Sequence, residues 1–288
     1  MTTVRNILRE YEIRPRRRWG QSFLEDKNII KKIIEVADIH SDDLVVEIGA
    51  GLGIMTDFLA DKARQVIALD VDRRMIEILQ ERLQHRANVT ILEQDVLFYD
   101  FSALLAGSEP GKVKIVGNIP YNISTPILFH LLKYRRYIYS MVLMFQKEVA
   151  ERIVAVPGTK AYGIPSVSLT MYGLPSREMT VPASCFCPPP KVTSAVVKII
   201  LREQPLVELA DEELFAKIVK LAFAKRRKTI LNNLRSAGLS GYGEEEIAAL
   251  LERTGIAGGR RGETLSAEEF GRLSNAFFHK NHSVAVEQ

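Results

Sequence analysis

Asn118-Ile119-Pro120-Tyr121 joins an amide, an extended backbone, a rigid proline and an aromatic ring directly after the apolar run Val113-Lys114-Ile115-Val116 and Gly117. That order suits a flat base bearing an exocyclic amine. The Asn118 amide oxygen and the Ile119 carbonyl can each accept one N–H of such an amine. Pro120 biases Ile119 away from helix, which lets its carbonyl turn toward a pocket. Tyr121 offers a ring on which the base can stack. The same four residues also suit an ordinary strand-to-helix turn. The glycines upstream must decide between the two.

Glu47-Ile48-Gly49-Ala50-Gly51-Leu52-Gly53 ends one apolar run and opens a helical pattern. Gly49 and Gly51 let the backbone approach a ligand with no Cβ in the way. A dinucleotide fingerprint needs its third glycine where this chain has Ile54. Asp70 closes the next strand about twenty residues on, where a carboxylate accepts ribose hydroxyls. Asp95, in Gln94-Asp95-Val96, closes the third and can accept from an adenine amino group. A nucleoside without a pyrophosphate, held by strand-end carboxylates, fits S-adenosyl-L-methionine better than a nicotinamide dinucleotide. Asp72 reads as a solvated residue at a helix start. Simple capping stays open as the role of Asp95.

These residues need a frame. Leu44–Ile48, Gln65–Leu69, Val89–Leu92, Val113–Val116 and Ser140–Phe145 read as buried strands, and Val192–Leu201 as a last one. Met55–Leu59, Met75–Leu83, Ile127–Leu132 and Lys147–Val154 recur between them at helical spacing. The alternation predicts an α/β doubly wound, Rossmann-like sheet with ligands at the carboxyl ends of its strands. Gly163–Tyr172 fits helix and strand alike. After Gln204-Pro205 only helical patterns follow: Asp211 caps Glu212–Ala224, Glu244–Thr254 gives another helix, and Ser266 with Glu269 forms a capping box flanked by Leu265 and Phe270. The predicted domains are 1–205, a catalytic domain with a basic N-terminal arm, and 206–288, an all-helical one. The tail from Lys280 reads as loose.

At 288 residues, 47% hydrophobic and 26% charged, the chain has the composition of a globular protein. It has no apolar run near the roughly 20 residues of a membrane span. Cys185 and Cys187 are too close to pair and too few for a zinc site, so they read as loop or pocket-wall residues in a reducing cytoplasm. The histidines show no ligand spacing. The formal net charge is only +4, but seven Lys or Arg and no acid lie between Leu214 and Gly243. Arg5, Arg9, Arg14, Arg16, Arg17 and Arg18 crowd the start against Glu10 and Glu12. Such clustering suits a phosphate-binding surface, and equally a solvated helix face.

Taken together, these motifs resemble those of the ribosomal RNA adenine N6-dimethyltransferases, above all their bacterial small-subunit branch. The resemblance runs from Arg16 to Phe277 through Gly20-Gln21-Ser22-Phe23-Leu24, Glu47–Gly53, Asp70, Asp95, Asn118–Ser124 and Gln146–Ala150. It continues through Phe186-Cys187-Pro188-Pro189-Pro190-Lys191-Val192, Arg226–Thr229, Asn232–Leu234 and Glu263–Ser266. It implies a class I methyltransferase fold with a small helical RNA-binding domain. It also implies transfer of two methyl groups to each of two adjacent adenosines near the 3′ end of small-subunit rRNA, within the assembling 30S particle. The family's cofactor positions map onto Ser22, Leu24, Gly49, Asp70, Asp95 and Asn118, with Gly51 and Val96 beside them. Ser22 stands where Asn is frequent, and Asp70 where Glu is frequent. The shorter Asp70 lengthens its ribose contact or leaves a water to bridge it.

Tyr121 and Phe186 are the candidates for two faces of an aromatic clamp, although Phe186 also reads as a plain core residue. Lys225-Arg226-Arg227-Lys228 and Arg135-Arg136, within Lys133–Tyr137, are the candidate phosphate contacts; the latter segment also reads as a helix-end surface. The expected enzyme is a cytoplasmic monomer with no membrane partner. The rival readings are a large-subunit rRNA adenine methyltransferase conferring macrolide-type resistance and a non-catalytic RNA- or DNA-binding relative. Arg226–Leu234 and Glu263–Phe270 favour the small-subunit branch.

Overall fold

All six runs read as strands pair into a single sheet in the computed structural model, which describes residues 3–16, 21–102, 113–236 and 242–284. In chain order the elements are α1 (Val4–Glu10), β1 (Phe23–Leu24), α2 (Lys27–Ala37), β2 (Leu44–Ile48), α3 (Ile54–Ala60), β3 (Gln65–Asp70), α4 (Arg73–Leu83) and β4 (Val89–Glu93). Next come β5 (Val113–Asn118), α5 (Ser124–Leu132), β6 (Ile138–Gln146), α6 (Lys147–Ile153), α7 (Ile164–Tyr172), β7 (Gly173–Val181), β8 (Phe186–Cys187) and β9 (Ser194–Leu201). The helices α8 (Glu212–Ala222), α9 (Ile230–Ser236), α10 (Glu244–Arg253) and α11 (Ala267–Val284) complete the chain.

The sheet order is β4-β3-β2-β5-β6-β9-β7. Strands β2 to β6 pair in parallel, and β9 returns antiparallel to β6. From β2 the order runs outward to β3 and β4 on one side and to β5 and β6 on the other. The crevice outside the carboxyl ends of β2 and β5 is therefore the topological switch point, where such sheets bind ligands. Both strands are buried almost throughout, as their unbroken hydrophobicity requires. Their amino ends are tied by a buried ion pair, Lys114 Nζ to Asp43 at 2.8 Å.

Several elements have no counterpart in the sequence reading, among them α1, α2, β7 and the two-residue strands β1 and β8. Edge strand β7 is mostly exposed and polar, so it carries no apolar run. The basic arm contains helix α1, whose Val4 and Ile7 are buried with Phe23, Leu52, Met75 and Ile78. Arg17, Arg18 and Gly20 lie outside the described residues.

The domain division also differs from the single boundary near 205. One compact unit comprises Met1–Ala150 with Pro175–Glu203, and the other Glu151–Leu174 with Gln204–Gln288. The ambiguous segment is helix α7, and it belongs to the helical unit because its faces pack there. Leu206 N–H donates to the Met171 carbonyl at 2.8 Å, and a Cβ on Gly271 would lie 3.1 Å from the Met171 methyl. In the same unit Asp211 caps α8, accepting from Leu214 N–H at 3.0 Å. Ser266 and Glu269 cap α11 reciprocally at 3.1 and 2.7 Å, with Leu265 and Phe270 fully buried as the staple. Helix α11 runs on to Val284, with Lys280 3.6 Å from Glu246, so the stretch read as a loose tail is helical that far.

Candidate active site

At the switch point a cleft of about 150 Å³ opens over the ends of β2, β3, β4 and β5. Gly51 has φ +56°, and its N–H donates 2.9 Å to Asp70 Oδ2. The left-handed φ favours glycine for the turn, and a Cβ there would lie a tight 3.1 Å from the Phe23 ring. Asp72 N–H takes the other Asp70 oxygen at 2.9 Å. Burial raises the Asp70 carboxyl above its ordinary value, against the pull of these backbone donors. A carboxylate has about four lone-pair positions, so each oxygen keeps capacity for a ribose hydroxyl.

Asp95 lies just beyond β4, and its Oδ1 accepts from Leu97 N–H at 2.9 Å. Capping and ligand recognition are therefore compatible: one oxygen holds the turn, and Oδ2 is left for an amino group. Ile48, Leu69, Val71 and Val96 supply apolar walls between the two acids. Asp72 is not the solvated residue expected from the sequence. It is 2% exposed, caps α4 at Arg74 N–H, and accepts from Gln21 Nε2 at 2.9 Å and from the Arg74 guanidinium. Burial works to raise its carboxyl, but Arg74 and Gln21 outweigh that and hold it below the usual range. Nothing in the local pattern marked this role, because Gln21 is 51 residues away.

Asn118 ends β5 with its amide orientation fixed by a long-range contact: Nδ2 donates 3.1 Å to the Ser22 carbonyl. That assigns the amide nitrogen and leaves Oδ1 as the acceptor at the cleft. The next carbonyls along the chain are spent on the turn into α5. Pro120 C=O accepts from Ile123 N–H at 3.2 Å, and Tyr121 C=O from Ser124 Oγ at 3.2 Å. Ile119 and Pro120 line the cleft with Asn118, and so does the half-buried Tyr121, whose phenol burial raises.

Ser22 lines the same cleft, but its hydroxyl donates 2.7 Å to the Pro188 carbonyl, so it has only lone pairs to offer a ligand. Leu24 is buried in the core and lines a smaller adjoining cavity with Gly49, Gly51, Asn118 and Glu47. Glu47 is 1% exposed, and its Oε2 has no hydrogen-bond partner among the described residues.

Several expected site residues are not assembled here. Phe186 pairs across the β1–β8 ladder with Leu24, which turns its ring into the core beside Ile30, Val116 and Val196. It is 3% exposed and does not line the cleft, so the two-faced clamp is reduced to Tyr121. Arg135 and Arg136 precede β6 and so stand at the amino end of a parallel strand, opposite to the cleft; Arg135 donates to the Leu132 carbonyl. Cys185 and Cys187 are free thiols, and Cys185 Sγ lies 3.8 Å from Asp26.

In the helical unit, Lys225 to Lys228 form the exposed loop between α8 and α9. Asn233 braces that loop, its Nδ2 donating to the Ala222 and Lys225 carbonyls at 2.8 and 3.1 Å. Arg226 is engaged internally: it donates 2.8 Å to Glu263 and also reaches the Lys160 carbonyl.

A Rossmann-like sheet, a glycine turn beside a buried strand-end acid and an amide-proline-aromatic lip at the neighbouring strand define an S-adenosylmethionine-dependent methyltransferase. The ribosomal RNA adenine dimethylase family model matches residues 13–278. The chain is 48% identical over 276 residues to the ribosomal RNA small subunit methyltransferase A of Syntrophus aciditrophicus, covering 96% of this chain and 99% of that one. It is 42% identical over 279 residues to the protein of that name from a Geobacillus strain, with 96% of each covered. Among solved structures it is similar to a dimethyladenosine transferase from Plasmodium falciparum, with a TM-score of 0.77, 29% identity and coverage of 90% and 98%. It is also similar to the 23S rRNA methyltransferase ErmE, with a TM-score of 0.66, 29% identity and coverage of 88% and 98%. The chain belongs to the ribosomal RNA adenine dimethylase family and is an S-adenosylmethionine-dependent rRNA adenine dimethyltransferase.

Proposed function

We propose that the chain dimethylates N6 of two adjacent adenosines near the 3′ end of small-subunit rRNA, acting as a cytoplasmic monomer on the assembling 30S particle. Relatives at 41–48% identity named for the small subunit support this over a large-subunit target. Among the described residues no helix is long and apolar enough to cross a membrane. The observation that carries the chemistry is the Asn118 amide, whose nitrogen is held by Ser22 so that its oxygen serves the target.

When bound, S-adenosylmethionine supplies an electrophilic methyl group on a sulfonium. The chain orients the nucleophile. Conjugation with the ring makes an adenine N6 a poor nucleophile. Two acceptors, Asn118 Oδ1 and Ile119 C=O, favour a more tetrahedral nitrogen and aim its lone pair. This is positioning with electrostatic preorganisation, and no general base is needed. The target must leave its stack to reach the cleft, where the Tyr121 ring receives it. Asp70 takes the cofactor ribose, Asp95 its adenine amino group, and Ser22 lone pairs its ammonium. After the first transfer the cationic methylated nitrogen releases a proton to solvent and keeps one N–H, so the second proceeds with one acceptor unfilled.

Incubating small subunits that lack the modification with the enzyme, followed by nucleoside mass analysis, should yield N6,N6-dimethyladenosine in the small-subunit rRNA. Modification of large-subunit rRNA instead would overturn the assignment.

For RNA docking, Lys225, Arg227 and Lys228 are the phosphate contacts, and Arg226 is the brace that presents them. Reversing Arg227 and Lys228 to Glu should weaken RNA binding and reduce the slope of log K against log salt by roughly 1.5. An unchanged slope in a salt titration would reject the loop.

A further inference from the structure

The Tyr121 phenol and the Ser194 hydroxyl lie 2.5 Å apart. Ser194 is 0% exposed at the first position of β9, opposite Gln146 of β6, and Ala195, Val196 and Val197 follow it at 0%. A hydroxyl in so apolar a place is costly unless it is hydrogen-bonded. Pairing of β9 with β6 uses only backbone groups, so Ala or Val would serve the sheet as well. The only hydrogen-bond partner of this hydroxyl among the described residues is Tyr121. On the other side, the Tyr121 backbone is already held by the turn into α5, which leaves the two ring torsions to be fixed. Anchoring the far end of the ring fixes both.

We propose that Ser194 is a positioning residue that locks the Tyr121 ring broadside to the cleft for stacking on the target base. The proposal rests on the reading of Tyr121 as the stacking surface. A freely turning ring would present its edge for part of the time and lose face-to-face contact with the base. An anchored one pays that ordering cost during folding. Ser194 does not touch the reacting atoms, and its effect reaches them only through Tyr121.

The test uses Ser194→Ala, Tyr121→Phe, the double variant, Ser194→Thr and Tyr121→Ala. Each is assayed for turnover on small subunits, and for fluorescence of a stem-loop RNA carrying 2-aminopurine at the target position. Ser194→Ala and Tyr121→Phe should each lower kcat/KM by about three- to tenfold, the range for one lost hydrogen bond. Each should also weaken stacking-dependent quenching of the probe. The double variant should be no worse than either single one, Ser194→Thr should retain activity, and cofactor affinity should not change. Additive losses in the double variant, or unchanged quenching in both singles while Tyr121→Ala abolishes it, would overturn the role of Ser194 and leave the stacking reading standing. Unchanged turnover and quenching in Tyr121→Ala would bring down both. If Ser194→Ala does not fold, Tyr121→Phe deletes the same bond from the cleft side and decides alone.

Discussion

Asn118→Ala should lower kcat by at least about 10²–10³, the scale for deleting one preorganised hydrogen-bonding group at a reacting centre. S-adenosylmethionine binding should weaken by less than about tenfold. The asymmetry follows from the two ends of one amide. On the proposed reading Oδ1 serves the target amine beside Ile119 C=O, and the Pro120 and Tyr121 carbonyls, which accept within the following turn, are not placed to substitute for it. Nδ2 makes one hydrogen bond, to Ser22 C=O, and losing such a bond costs about 1 kcal/mol. Single-turnover transfer of a radiolabelled methyl group, beside calorimetric titration of the cofactor, separates the two effects. A variant that lost cofactor affinity yet transferred normally at saturation would assign Asn118 to the cofactor alone.

Local sequence carried the strands, the glycine turn and the identity of the two strand-end acids, because each is written in a short window of hydrophobic period or turn chemistry. Asp70, Asp95, Gly49, Gly51, Val96 and the Asn118–Tyr121 stretch all line one cleft. Features set by long-range pairing were not legible. Phe186 has an aromatic side chain in a rigid proline-rich context, but the two-residue ladder between β1 and β8 decides which way its ring faces, and it faces the core. Asp72 looked like an exposed helix start until Gln21 and Arg74 closed over it. Arg226 was indistinguishable from its basic neighbours, although Glu263, 37 residues away, takes its charge. Charge density marked the loop; only tertiary contacts separate the residue that braces it from those free to meet phosphate. Arg135 and Arg136 show the same limit from the side of topology. Their chemistry suits RNA, but the parallel direction of β6 sets them at the end of the sheet away from the chemistry.

Glu47→Gln should flatten the fall in stability of the enzyme toward alkaline pH. Glu47 lies in the middle of the sheet, fully buried, and burial pushes its carboxyl up from 4.5 to about 8; the nearby Asp70 charge adds to the rise and Thr56 offsets part of it. In the folded chain the group therefore stays protonated through neutrality, whereas in the unfolded chain it ionises near 4.5. Between those values the folded state binds more protons. Stability must then decline as pH rises through the window and level off above about 8. One unit of pKa difference corresponds to about 1.4 kcal/mol, so the decline is on the order of several kcal/mol. Glutamine keeps the size and polarity of the side chain and removes the titration. The variant should therefore be the more stable protein at pH 8, by on the order of 1–3 kcal/mol once relaxation around a buried charge is allowed for. Any slope that persists in the variant belongs to Asp70, whose carboxyl burial raises as well. Urea unfolding of both proteins at pH 5, 6.5 and 8 measures the effect, and parallel stability curves would show that Glu47 is not the titrating group. A carboxyl this costly beside Gly49, Gly51 and Asn118 makes the cofactor end of the sheet a place where folding stability is given up, and the apolar strands on either side have to offset it.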